Sequence, residues 1–221
     1  MLTNQFIETD QTRTWTGNFG REYTDRNARS PAELNDFYHQ TYGITRRSLN
    51  ENFLREVPKQ ARILEVGCNM GTQLLMLQEM GYHELYGIEI QSYGLELARR
   101  RLPEAKLPQA SAFCIPYPDR HFDLVFTSGV LIHIAPTDLP RALAEIHRCS
   151  REWIWGFEYY SRKPTEILYR GHSSLLWKMD YASRFLEPFA DSKLVKEQRV
   201  AYRDSENVDS MFVVCRVEDS G

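Results

Sequence analysis

Two glycines four residues apart, Gly67 and Gly71, follow the run Arg62-Ile63-Leu64-Glu65-Val66, and a helical pattern begins directly after them. The spacing predicts a strand, a tight turn and a helix start. Backbone N–H groups exposed at a helix start suit a polar or anionic ligand. A second apolar run, Tyr86-Gly87-Ile88, ends in Glu89. An acid about twenty residues past such a turn is placed to take two ribose hydroxyls. The pair of motifs therefore points to a bound nucleoside.

Which nucleoside follows from the glycines. A dinucleotide turn has the pattern G-x-G-x-x-G, whose middle glycine lets backbone approach a pyrophosphate. The turn here is Gly67-x-x-x-Gly71, with Asn69 between. An amino-acid-bearing nucleoside needs no such approach, so the pattern favours S-adenosylmethionine over NAD. Its expected contacts are Glu65, Gly67, Cys68, Asn69 and Gly71 in the turn, with Glu89 and Ile90 at the ribose. Ser111, Ala112 and Phe113 are placed for the adenine edge and face, and Thr127 and Ser128 for the methionine part.

Side chains that could act on a second reactant lie further along. His133, in Thr127-Ser128-Gly129-Val130-Leu131-Ile132-His133-Ile134, could take a proton near neutral pH or could serve as a structural hydrogen-bonder. Trp153 to Phe189 is crowded with aromatics and carries a few charges. Such a cleft suits a small polar substrate, and aromatic faces suit a cation. From it Glu158 and Tyr159 are candidate catalytic groups, and Tyr160, Arg170 and His172 candidate substrate contacts. Asp123 is expected to be structural, at a strand entry. Near the N-terminus Phe6, Trp15, Phe19 and Tyr23 punctuate a polar stretch. Phe19, Tyr23, Arg26 and Asn27 share one helical face. This helix either packs its aromatics on the domain or forms a lid.

These groups need a scaffold. Ser30 and Pro31 can cap and start a helix, and Arg46 to Arg55 continues the helical N-terminal part. From Ala61 the pattern alternates. Strands are expected at Arg62 to Val66, Glu84 to Ile90, 107–112, Phe122 to Ser128 and Trp153 to Tyr159, then at Leu194 to Tyr202 and Ser210 to Val217. Helices fall at Thr72 to Met80, Tyr93 to Leu102 and Leu139 to Arg148. The expectation is an α/β, Rossmann-like doubly wound, mostly parallel seven-stranded sheet with an antiparallel edge strand and an N-terminal helical lid. Residues 1–58 would be the lid and cap, and 59–221 the catalytic domain.

The 221 residues, 42% of them hydrophobic, suit one substantial core, and a net charge of −3 gives no overall pull towards nucleic acid or an anionic membrane. The four cysteines form no C-x-x-C pair, so no metal is expected. No apolar run approaches a membrane span, and Met1 to Asp10 lacks the pattern of a secretion signal. A cytoplasmic protein acting on a small molecule, as monomer or homodimer, is the expectation.

In combination, Glu65-x-Gly67-x-x-x-Gly71, Glu89 and Phe122-Asp123-Leu124-Val125-Phe126 resemble the class I S-adenosylmethionine-dependent methyltransferases. Asn69 and Ser111 depart from that pattern, where glycine and aspartate are common. A narrower resemblance joins Trp15-x-Gly17-x-Phe19-Gly20-x-x-Tyr23-x-x-Arg26-Asn27 with Gly67-Cys68-Asn69, the Thr127–Ile134 stretch and Tyr169-Arg170-Gly171-His172. These look like the methylases associated with pseudaminic acid biosynthesis. The resemblance implies a lid whose Tyr23 and Arg26 meet the cofactor, with Tyr23 near the chemistry and Trp15 and Phe19 towards the substrate. It implies methyl transfer to O or N of a small polar metabolite, a nonulosonic-acid-type sugar or an amino-acid-like acceptor. Chains of similar build also resemble enzymes that cyclise S-adenosylmethionine to azetidine-2-carboxylate and methylthioadenosine. A non-catalytic cofactor-binding module is a third possibility, and an RNA methyltransferase is disfavoured by the acidic balance.

Overall fold

A computed structural model describes residues 9–217, so Phe6 and most of Met1 to Asp10 lie outside the described part. The chain opens with four helices, α1 (Asp10–Thr16), α2 (Asn18–Arg26), α3 (Pro31–Tyr42) and α4 (Arg46–Phe53). The single N-terminal helix expected is two, broken at Gly17. Ser30 caps α3 reciprocally with Glu33, and Pro31 occupies its first turn, where a missing N–H costs nothing.

The sheet strands are β1 (Ile63–Val66), β2 (Leu85–Ile88), β3 (Phe122–Ser128) and β4 (Ser150–Tyr159). A small two-stranded ribbon, β5 (Thr165–Glu166) and β6 (Trp177–Lys178), precedes β7 (Ser192–Ala201) and β8 (Val208–Arg216). Helices α5 (Thr72–Glu79), α6 (Ser92–Arg101), α7 (Leu139–Cys149) and α8 (Tyr181–Leu186) connect or cover them. The main sheet has six strands in the order β2-β1-β3-β4-β8-β7. β2, β1, β3 and β4 are mutually parallel, and β8 is antiparallel to both neighbours.

Two details differ from expectation. The strand expected at 107–112 is reduced to isolated parallel bridges at Lys106 and Gln109 beside β2. Pro108 has no N–H to offer a ladder, which limits pairing there. The antiparallel strand, β8, lies one place in from the edge, because β7 turns back to cover it.

Both faces of the parallel part of the sheet are buried, as the near-continuous apolar runs of β1, β2 and β3 require. Leu64, Val66, Ile88 and Val125 pack with α7 and α8 on one face. Ile63, Leu85, Leu124, Phe126 and Trp155 pack on the other with Tyr38, Leu49, Phe53, Leu74 and Leu95. Helices α3 and α4 thus share a core with the sheet. Asp123 accepts from the Arg62 backbone N–H and pairs with Arg151, which ties the entry of β1 to that of β3.

Phe212 on β8 is fully buried and its ring meets Phe185 of α8 at 6.0 Å. Phe212→Ala should cost about 3–5 kcal/mol in chemical denaturation; a loss below ~1 kcal/mol would mean that the α8 face is not held by this contact.

Candidate active site

The carboxyl ends of β1, β2 and β3 open into a cleft of about 1290 Å³, part of it open to solvent. The turn after β1 forms its floor. Gly67 has φ +74, and a Cβ there would lie 2.6 Å from a Val130 methyl, so a side chain is excluded on two grounds. Asn69 is also left-handed, at φ +45, a conformation asparagine tolerates better than most residues. Its backbone N–H donates to Glu89 Oε2 at 2.9 Å, and the Gln91 N–H donates to Glu89 Oε1 at 2.8 Å. Burial pushes the Glu89 carboxyl up, and these N–H groups pull it back down. Glu65 lines the cleft too, and its Oε2 is buried with no hydrogen-bond partner among the described residues.

Ile90, Ser111, Ala112 and Phe113 line one wall, and Ser128 another. The Ser111 Oγ accepts from the Phe113 N–H at 3.2 Å, leaving its own O–H to donate. Cys68 faces the cleft margin, but burial drives its thiol well above the usual range, so it stays a neutral thiol.

The N-terminal helices cover the cleft. Trp15, Tyr23 and Thr24 line it. The Thr24 hydroxyl donates to Asn69 Oδ1 at 2.9 Å, which fastens α2 to the turn. Gly94 of α6 makes room for this bond: a Cβ there would lie 2.8 Å from Asn69 Oδ1. Tyr93 donates to Asp25 at 2.8 Å under the Arg21 guanidinium, and Gln91 donates to the Gly17 carbonyl at 3.2 Å. The lid is therefore fixed along its length.

Trp15 is the centre of an aromatic cluster, with Tyr23 at 5.1 Å, Phe19 at 5.2 Å and His133 at 4.3 Å between ring centroids. His133 lies after β3, in the 3₁₀ turn Leu131–His133. Its Nδ1 is 2.7 Å from the Leu175 carbonyl, which can only accept. Nδ1 therefore carries the proton, and Nε2 is left as an acceptor. Burial depresses the imidazole to about 4, so it is neutral at pH 7. Burial likewise raises the Tyr23 phenol above its ordinary value.

Several expected site residues are placed elsewhere. Arg26 is exposed and pairs with Glu22 at 3.5 Å, because the helix turns it to solvent. Gly71 caps α5 and abuts Leu102 behind the turn. Thr127 is buried beside Glu158. Glu158 is fully buried and accepts from the Val130 and Ile132 N–H groups at 3.2 and 3.4 Å. It holds the loop that carries His133 and does not face the cleft. Burial raises it to about 7, against the lowering by the Thr127 hydroxyl and the loop N–H groups.

Tyr159 belongs to a second polar cluster, where Tyr42 and Tyr202 both donate to Asp209 Oδ2, at 2.5 and 3.2 Å. Tyr160 lies under the Arg199 guanidinium at 3.4 Å. Phe19 turns outward to Tyr169 and His172, at 6.0 and 5.3 Å. His172 and Arg170 are exposed in a tight turn, with Arg170 at φ +52. These two border the lid from outside. Gln91, Thr24 and Gly94 went unmarked in the sequence. Gln91 has a signal, an amide two residues past the acid at a helix N-cap, whereas Thr24 and Gly94 matter only through a contact across 45 residues.

Among the described residues there is no cluster of three metal-ligating side chains, and no helix is long and apolar enough to cross a membrane.

Residues 63–152 match the family model described as a methyltransferase domain. A probable methyltransferase of Aspergillus luteorubrus is 31% identical over 119 residues, 47% of this chain and 42% of its own length. The chain thus matches less than half of that relative. Among solved structures, magnesium protoporphyrin IX methyltransferase from Synechocystis PCC 6803, with bound S-adenosylmethionine, aligns with a TM-score of 0.69 at 11% identity, over 96% of this chain and all of that one. The 1,6-didemethyltoxoflavin-N1-methyltransferase of Burkholderia thailandensis, with bound substrate and S-adenosylhomocysteine, gives 0.68 at 14% identity, over 98% and 94%. At these identities the structural likeness concerns the fold.

Two tests follow. Thr24→Val should cost about 1 kcal/mol and speed amide exchange in α2 while exchange in the sheet is unchanged; equal acceleration in both would contradict a local tether. His133 and Glu158 should also bend stability in opposite directions with pH. His133 is depressed when folded, so its contribution is present above 6.5 and lost as pH falls towards 4. Glu158 is raised when folded, so its contribution is present below 4.5 and lost as pH rises through 7. Thermal melts of His133→Gln should therefore lose the acid-side decline that wild type shows, and Glu158→Gln the neutral-side one.

Proposed function

We propose that the chain, whose residues 63–152 match a methyltransferase domain model, is a class I S-adenosylmethionine-dependent methyltransferase that transfers a methyl group to O or N of a small polar metabolite. The observation that carries this reading is the pairing, in one cleft, of an unpartnered buried carboxylate oxygen on Glu65 with the backbone-held carboxylate of Glu89. The first fits an ammonium and the second a diol, so the donor set matches an amino-acid-bearing nucleoside. Ser111 and Phe113 would meet the adenine.

When bound, S-adenosylmethionine supplies an electrophilic methyl on a sulfonium. The protein's part is alignment and proton removal. The Trp15 and Tyr23 rings favour a cation beside them and exclude water. His133, neutral and with Nε2 free to accept, is the group we assign to the acceptor's proton. Glu158 keeps it in place through the Val130–Ile132 backbone. The acceptor would enter between the lid and the 169–172 turn. An amino-acid-like or sugar acid acceptor suits the exposed Arg170 and His172 there. Cytoplasmic biosynthetic chemistry, with the chain as monomer or homodimer and no nucleic acid, completes the reading. Residues 1–58 would act as lid and cap to the domain at 59–221.

Incubation with methyl-labelled S-adenosylmethionine and a panel of amino acids and sugar acids tests this. The expected products are S-adenosylhomocysteine and one labelled acceptor, and His133→Gln should lower kcat by about 10²-fold or more, with a smaller change in KM. Methylthioadenosine formed without any acceptor would replace the proposal with the cyclase, and saturable binding without turnover would leave a binding module.

A further inference from the structure

Arg46 is the largest fully buried side chain among the described residues, at 0% exposure. It projects from α4 into the face of the sheet that α5 and α6 cover. Its guanidinium lies 4.6 Å from the Trp155 ring centre and 4.9 Å from that of Phe157. Nε donates to Asn50 Oδ1 at 3.0 Å, and Nη1 to the Tyr38 hydroxyl at 2.8 Å. Both acceptors are neutral. Nη2 has no hydrogen-bond partner among the described residues. A buried cation with only neutral and aromatic partners is costly, and a carboxylate in electrostatic reach offsets that cost.

Glu65 is that carboxylate. Glu65, Phe126 and Trp155 are register partners across β1, β3 and β4, which puts them in one row on the same face of the sheet. Gln73 borders both the cleft, which Glu65 lines, and a small cavity lined by Asn50, Phe126 and Trp155. Gln73 Oε1 and Glu65 Oε2 are buried acceptors, and Trp155 Nε1 and Arg46 Nη2 buried donors, all four without a partner among the described residues. They are unpaired polar groups set in an otherwise apolar layer.

We propose that Arg46 is a positioning residue for the bound amino-acid tail: its charge, seated over Trp155 behind the cleft and in the same row of the sheet as Glu65, aims the Glu65 side chain at the ligand's ammonium. This deepens the S-adenosylmethionine reading above and rests on it. The groups facing Glu65 fit the assignment. Burial pushes its carboxyl well above the usual range, Arg46 pulls it down, and Glu89 pushes it up again. The Cys68 thiol beside it stays neutral. Arg46 is thus the cation that opposes protonation.

The test is equilibrium binding of two probes, S-adenosylhomocysteine and methylthioadenosine, to the full chain between about pH 5.5 and 9, in wild type, Arg46→Met, Arg46→Lys and Glu65→Gln. Only the first probe carries an ammonium. Removing the cation should move the acid-side loss of S-adenosylhomocysteine affinity up by about one pH unit or more, a weakening that approaches about tenfold at the acid end of the range and recovers by pH 9. Arg46→Lys should restore the wild-type profile, Glu65→Gln should abolish the pH dependence, and methylthioadenosine should bind alike in all four. An equal loss for both probes at every pH would mean a merely structural Arg46 and would overturn the proposal. Should Arg46→Met fail to fold, the infrared difference between ligand-free wild type and Glu65→Gln decides: a carboxylate band at pH 7 is required, and a protonated carboxyl band overturns it. Failure of wild type to bind either probe would instead sink the S-adenosylmethionine reading itself.

Discussion

One residue ties the three parts of the site together. The Asn69 N–H donates to Glu89, and the Asn69 side chain accepts from Thr24. The turn after β1, the end of β2 and the N-terminal lid are thereby fixed by a single left-handed asparagine. Glycine at this position would keep the turn and lose this tether to the lid. The departure from a glycine-rich turn is thus a gain of function for the side chain. It works because Gly94, on a different helix, leaves the space that Asn69 Oδ1 occupies.

From that bond outward the site is built by two kinds of force. The floor is backbone: N–H groups aimed at Glu89, a carbonyl at Leu175 that sets the His133 tautomer, and N–H groups held by Glu158. These directions come with the strand ends and cost no side-chain freedom. The roof is aromatic: Trp15 meets Phe19 and Tyr23 edge-to-face within the lid, and Phe19 meets Tyr169 of the ribbon. Such contacts contribute about 0.5–1.5 kcal/mol per pair, enough to seat a lid and small enough to let it lift.

Much of this was legible in the sequence because it is local. The β1 turn, the acid after β2 and the Ser30–Pro31 helix start each depend on residues within a few positions of one another. The parallel sheet follows from alternation alone. What was not legible depends on distant partners. Glu158 reads as a candidate base beside Tyr159, yet its strand phase turns it inward to the loop after β3. Arg26 is three residues from Tyr23 in α2, but it stands in the last turn at the rim of that face, where it meets solvent and Glu22. Arg46 sits in a polar helix, and nothing nearby announces that its guanidinium is buried over Trp155. Register between β1, β3 and β4 creates that relation, and register is not written in any one segment.

The measurement that bears most directly on the central claim is a crystal structure of the full chain with S-adenosylhomocysteine. The account predicts the ribose hydroxyls on Glu89, the ammonium within hydrogen-bond distance of Glu65, the sulfur beneath Trp15 and Tyr23, and the Thr24–Asn69 bond intact. Ligand bound away from the Gly67–Gly71 turn, or an ammonium turned from Glu65, would contradict it.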